Sequence, residues 1–195
     1  NHTMAFKDAL GSSYNYQKTE FGIQKRFWFS AYGYVDILAK ASKVWTQVPY
    51  PLLILPNANL SYLVQPESYT NMNALEFIND QYASWDVTYF MNGALLNRLP
   101  LIKKLKWREV FSFRGLFGDL SDKNNPFLER NRADATLFQF PAATRLMTSD
   151  PYLEAVVGIH NILKCLEIDY VRRLTYTGYP GVKKGGIRLG FNLVF

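Results

Sequence analysis

The 195-residue chain has a single cysteine, Cys165, which excludes a disulfide framework and any cysteine-cluster metal site. Histidine is almost as scarce, with only His2 and His160. A Ser–His–acid site therefore has one plausible base, His160, because no motif surrounds His2. No apolar run approaches the roughly 18 residues a membrane helix needs, and the longest candidate, 51–55, is broken by proline. Charged residues are only 19% of the chain, below the usual quarter or so. Zinc-protease, CxxC, phosphate-loop and EF-hand patterns are all missing. The chain opens on Asn1, with no charged n-region or apolar h-region after it, and reads as a processed product or, preferably, a segment of something longer.

What is present is apolar and aromatic. Apolar residues are 48% of the chain and aromatics 16% (Phe 14, Tyr 13, Trp 4). That is ample material for a core and excludes intrinsic disorder. The mean hydropathy of −0.14 looks soluble. Membrane β-strands alternate apolar and polar, however, and average out as hydrophilic too. The net charge of +6 is scattered without a basic stripe, so nucleic acid is not expected as a partner.

Period-two alternation runs through most of the chain. Over 186–195, Ile187, Leu189, Phe191, Leu193 and Phe195 share one face, with Arg188, Gly190, Asn192 and Val194 on the other. Ten residues is about the length of a tilted membrane strand. It is equally the last strand of a soluble sandwich. Similar patterns occupy 153–160, 166–171 (continuing loosely to 174), 111–118, 84–91 and 35–42, with a noisier strand at 21–29 and a weak one at 2–10. Eight strands and no long helix are expected.

Connection lengths favour the membrane. Short turns at 30–33 and 161–164 alternate with long loops at 11–18, 45–82, 119–151 and 175–184; the turn at 92–106 is the exception. Long outer loops and short inner turns are the asymmetry of outer-membrane barrels. Aromatics near the expected strand ends would form interface girdles: Phe27, Trp28, Phe29, Tyr32 and Tyr34 inside, Trp45, Tyr50 and Tyr152 outside. The polar faces carry Asp36, Lys40, Asp86, Arg114, Glu154, Glu167, Asp169, Arg173 and Arg188. In a barrel these charges would line the lumen, where they can pair or meet water. Lys25, aligned with Phe21, Ile23 and Phe27, breaks the pattern and predicts a bulge or register shift.

The strings RFWFSAYGYVDILAKASKVWTQVPYPLLILPNANLSY, NALEFINDQYASWDVTYFMNGALLNRLPLIKKLKWREV and GIHNILKCLEIDYVRRLTY resemble a Bacteroidota family of outer-membrane proteins. Its members carry a carboxypeptidase-regulatory-like domain followed by a large barrel. The resemblance implies that residues 1–195 are the C-terminal half of that barrel, lacking the N-terminal part of the chain. More distantly, the layout is similar to the assembly and secretion superfamily of BamA, whose barrels have sixteen strands. There the loop matching 45–82 carries a Val-Arg-Gly-Phe/Tyr motif whose Arg enters the lumen. Here that loop has no Arg and no Lys, and the superficially similar Phe113-Arg114-Gly115-Leu116-Phe117 falls within a strand. The terminal aromatic Phe195, with the alternating Ile187, Leu189, Phe191 and Leu193 before it, resembles the signal read by the outer-membrane assembly machinery.

The remaining candidates are weaker. The string GDLSDKNNP at 118–126 has an oxygen-rich look but reads as an ordinary polar loop rather than a Ca²⁺ site. Leu95, Leu96, Leu99, Ile102 and Leu105, interleaved with Arg98, Lys103, Lys104 and Lys106 and interrupted by Pro100, suit either an interfacial turn meeting phospholipid headgroups or a solvated charged turn. The expectation is therefore an all-β protein, the last eight or so strands of an antiparallel transmembrane barrel in a bacterial outer membrane. It is read as non-enzymatic and without a cofactor, serving assembly or export of envelope components. A small-solute channel and, further off, a hydrolase using His160 are the alternatives. Its expected partners are outer-membrane lipid and, during insertion, the assembly machinery.

Overall fold

The alternation becomes eight strands: β1 (His2–Ala5), β2 (Tyr16–Trp28), β3 (Tyr34–Val44), β4 (Gln81–Phe90), β5 (Arg108–Asp119), β6 (Tyr152–Ile162), β7 (Leu166–Arg173) and β8 (Gly185–Phe191). The computed structural model describes residues 1–9, 11–134 and 136–192. All eight strands form one antiparallel sheet in chain order, which only local connections are needed to build. β1 and β8 are not neighbours, so the sheet is open. Among the described residues there is no α-helix; short 3-10 turns punctuate the connections.

Each strand presents its side chains alternately, and the two faces differ sharply. On one, here the open face, Phe21, Ile23, Phe27, Phe111, Phe113, Phe117, Val157, Ile168, Tyr170, Ile187, Leu189 and Phe191 all stand exposed. The other is covered by the chain's own long loops. Register is continuous from Lys18↔Val44 to Trp28↔Tyr34, so the expected irregularity around Lys25 is not there. Lys25 sits opposite Ile37 on the open face, its Nζ 6.0 Å from the Phe27 ring. A lysine near a strand end can reach past its apolar neighbours along its own methylenes, which removes the need for a bulge. The register shift lies instead between β6 and β7, between Ile159 and Ile162.

One short turn depends on glycine. Gly33 has φ of 95°, and a Cβ there would stand 1.8 Å from the Phe90 carbonyl oxygen. Both the handedness and the approach of β4 exclude a side chain.

The core lies between the covered face and two loops, 46–80 and 120–151. Val44, Val48, Leu53, Ile54 and Ile78 form one buried cluster, and Tyr69, Met72, Phe77, Leu116 and Tyr152 another. The second is aromatic: Tyr69 and Phe77 meet Tyr152 edge-on at 5.3 and 5.9 Å. Such pairs contribute about 0.5–1.5 kcal/mol beyond simple burial. Loop 46–80 crosses from the end of β3 to the far edge of the sheet. There Leu63 pairs with Leu189 in parallel: the Leu189 N–H donates to the Tyr62 carbonyl and the Val64 N–H to the Leu189 carbonyl, each at 2.9 Å.

Candidate functional site

All of Asp36, Lys40, Asp86, Arg114, Glu154, Glu167, Asp169, Arg173 and Arg188 fall on the covered face. Strand register sets four of them in one row, Asp86↔Arg114↔Glu154↔Arg173, alternating in sign across β4 to β7. Among the described residues only the first neighbours of this row pair directly, Arg114 Nε lying 2.8 Å from Asp86. Glu154 and Arg173, both buried, instead reach loop 46–80 packed over this face.

Arg173 is the firmest of these anchors. Its side chain is 0% exposed, and its guanidinium forms a fork on Glu76 at 3.0 and 2.7 Å. The remaining N–H groups donate to the carbonyls of Thr175, Asn71 and Tyr176 at 3.0, 3.2 and 3.0 Å. All five guanidinium donors are thus satisfied, which is the condition under which a buried arginine is tolerated. Its Cζ lies 4.7 Å from the Tyr152 ring centroid.

Glu154, itself 0% exposed, acts on the same segment with opposite sign. It accepts the backbone N–H groups of Thr70 and Asn71 at 3.0 and 2.7 Å and the Tyr152 hydroxyl at 2.7 Å. Arg188 donates to the Thr70 carbonyl at 2.8 Å and Arg114 to the Ser68 carbonyl at 3.1 Å. Lys40 pairs with Glu67. The Tyr69 phenol, whose pKa burial pushes above its ordinary value, donates to the Gly115 carbonyl at 3.1 Å. The segment 67–76 is therefore gripped along its backbone by strand side chains. A loop without Arg or Lys suits this seat, because the strands supply the cations.

The alternation identified Arg114, Glu154, Arg173 and Arg188 as one constellation, but not their common partner. Glu76, Thr70 and Asn71 escaped sequence reasoning, and Tyr152 was read as an interface aromatic rather than as a partner of Glu154. The usable signal was the charge asymmetry itself: arginine-bearing strands facing a long loop whose only ionisable acids are Glu67, Glu76 and Asp80.

Glu167 and Asp169 belong to a separate cluster at the short-turn end. His160 lies between them, Nε2 3.0 Å from Asp169 and Nδ1 3.5 Å from Glu167. Gly158 makes room, since a Cβ there would meet Asp169 Oδ1 at 2.0 Å. With both ring nitrogens on carboxylates, His160 has no hydroxyl or thiol hydrogen-bonded to it among the described residues. A nucleophile–base pair is not assembled there.

The expected girdle divides between the faces. Phe27 stands on the open face, and Trp45 is half-exposed with its indole donating to Thr19. Trp28 and Tyr34 lie on the side of the charged row, Trp28 tilted against Tyr34 and Tyr34 stacked on Phe90, and Tyr152 is wholly buried. Strand-end position alone does not say which face an aromatic takes. Ile187, Leu189 and Phe191 share the open face as expected; Leu193 and Phe195 lie outside the described residues. In the 118–126 string, the oxygens are committed within the protein: Asn124 accepts the Val48 N–H at 3.0 Å, Asn125 that of Phe127 at 3.0 Å, and Asp122 pairs with Arg130 at 2.5 Å.

Fold and site together define an all-β protein: one antiparallel sheet with an exposed apolar face and a charged face occupied by its own loop. Over residues 1–132 the sequence matches the C-terminal domain of DUF5686, a family of unknown function, and the chain belongs to that family. Comparison with curated proteins and with solved structures finds no match.

Proposed function

We propose that this chain forms part of the wall of a bacterial outer-membrane β-barrel, with the open face toward lipid and the covered face toward a lumen that loop 46–80 fills. The protein is non-enzymatic and serves assembly or export of envelope components rather than free diffusion of solutes. The observation that carries this reading is the opposition of the two faces. A soluble monomer rarely exposes a contiguous apolar patch beyond a few hundred Å², whereas the apolar residues of the open face extend from β2 to β8. β2 to β6 are 10 to 13 residues long, enough for tilted strands to cross a hydrocarbon core of about 25–30 Å. The resemblance to Bacteroidota outer-membrane proteins with a regulatory-like N-terminal domain, and the wider one to BamA-type barrels, belongs to this proposal. The loop seated on the arginines argues against an open solute channel.

The test is made on the full-length protein. Extracted from membranes, it should migrate differently on SDS gels before and after boiling, and in planar bilayers it should pass no steady current. Replacing 49–79 by a short turn should open a conductance. Recovery of the protein in the soluble fraction without a mobility shift would end the membrane reading. A steady conductance of the unaltered protein would overturn the filled lumen.

A further inference from the structure

The connection between β4 and β5 is the one long turn at the short-turn end, and the exposure of its side chains bears on the two readings its sequence allows. Leu95, Leu99, Leu101 and Leu105 are 49, 51, 84 and 50% exposed. Arg98, Lys103, Lys104 and Lys106 are exposed between them, and no Asp or Glu occurs from residue 92 to 107. A single exposed leucine would carry no meaning, but four within eleven residues form an exposed apolar cluster of the kind that marks a protein or membrane contact. Leu96 and Ile102 are half-buried, while Leu95, Leu99, Leu101 and Leu105 face outward together with the cations.

This arrangement is held in place. Glu109, only 6% exposed, lies on the open-face register of β5 with Phe111, Phe113 and Phe117. Its carboxylate accepts the Leu95 N–H at 3.1 Å and also that of Leu96, which clamps the turn to the margin of the apolar face. Asn97 packs onto Gly93, where φ is +83° and a Cβ would meet the Asn97 side chain at 2.1 Å. At the far end Asn161 donates to the Lys106 carbonyl at 2.7 Å. Short 3-10 turns at Leu96–Arg98 and Ile102–Leu105 complete a fixed platform.

We infer that the turn 92–107 is a binding surface for anionic phospholipid headgroups, on the leaflet that meets the short-turn end of the sheet. The inference rests on the membrane reading above. Leucines at the margin of a lipid-facing wall enter the acyl boundary, and the cations beside them lie at headgroup depth. With no acid in the segment, the charge complement is an anionic lipid rather than a zwitterionic one. Each cation near such a surface adds to affinity in a salt-dependent way.

The experiment uses the detergent-purified full-length protein and native mass spectrometry, with phosphatidylglycerol, cardiolipin or phosphatidylcholine as the added lipid. The unaltered protein should retain the two anionic lipids over phosphatidylcholine. The triple variant Lys103→Gln, Lys104→Gln, Lys106→Gln should lose about a hundredfold of that preference. The charge-preserving triple variant to Arg should keep it, and Leu101→Gln should weaken retention without changing the headgroup preference. Heat-modifiability is measured on every sample. Folded, heat-modifiable protein without anionic preference, or with a preference the Gln variant keeps, overturns this inference and leaves the membrane reading standing. Soluble protein without a mobility shift overturns both.

Discussion

Arg173 on β7 and Glu76 in the loop meet across a separation of 97 residues, and the guanidinium grips both carboxylate oxygens with no solvent contact. A buried pair of this kind holds a loop chiefly because separating it strands a charge. Arg173→Met or Glu76→Met alone should destabilise the protein by about 3–5 kcal/mol. In a double-mutant cycle the two losses should fall short of additivity by about 2 kcal/mol. Urea unfolding in detergent reads the cycle, and strict additivity would mean the pair does not form.

Glu154 makes a sharper case, because the conservative change should be harmful. Its oxygens receive two backbone N–H groups and a hydroxyl. In Glu154→Gln an amide NH2 replaces one acceptor and faces donors, so about 2–4 kcal/mol should be lost. Limited proteolysis should then cut 60–75 faster, with the strands still protected. Unchanged cleavage would separate Glu154 from the seating of the loop.

Alkaline pH should loosen the same segment through Tyr69. Burial first, then the nearby Glu154 charge, raise its phenol pKa above the ordinary 10.0. The unfolded chain therefore ionises before the folded one. The stability Tyr69 contributes is fully present below the unfolded pKa and is lost as pH rises from there toward the folded value. Tyr69→Phe should cost about 1 kcal/mol at neutral pH through the lost bond to Gly115, and should flatten the decline above about pH 10. A variant that declines as steeply as the parent would assign the alkaline limb to another group.

On the open face, Gly115 and Trp85 face each other in register, and the indole lies where a side chain at 115 would be: a Cβ would stand 2.0 Å from Trp85 Cζ2. Gly115→Ala should push the ring off the strand and change its fluorescence. Trp85→Ala,Gly115→Ala should recover part of the stability lost by Gly115→Ala alone, by about 1 kcal/mol. An indole spectrum unmoved by Gly115→Ala would place Trp85 elsewhere.

The sheet was legible because its signal is local. A period of two says where Phe111 and Phe113 point before any partner strand is known, and it brought Arg114, Glu154, Arg173 and Arg188 to one face in advance. Lys25 misled for the same reason: pattern counts a lysine as polar, while four methylenes let it share a row with Ile23 and Phe27. The loop was illegible. Its path is fixed by contacts such as Glu154 to Thr70 and Arg173 to Glu76, between residues 84 and 97 positions apart, and nothing in the spacing of 67–76 marks them. Glu76 looked like any loop acid until the guanidinium was found beside it.

The main-chain contact between Tyr62–Leu63–Val64 and Leu189 changes what the last strand can do. The N–H and carbonyl of Leu189 that point away from β7 are already taken by the Tyr62 carbonyl and the Val64 N–H. Any newcomer strand seeking that margin meets a tenant. Its docking is an exchange in which two hydrogen bonds are surrendered as others form, so its net driving force is the small difference between them. Displacing 62–64 also tugs on the segment that Glu154 and Arg173 hold, which couples the rim of the sheet to the seat at its middle.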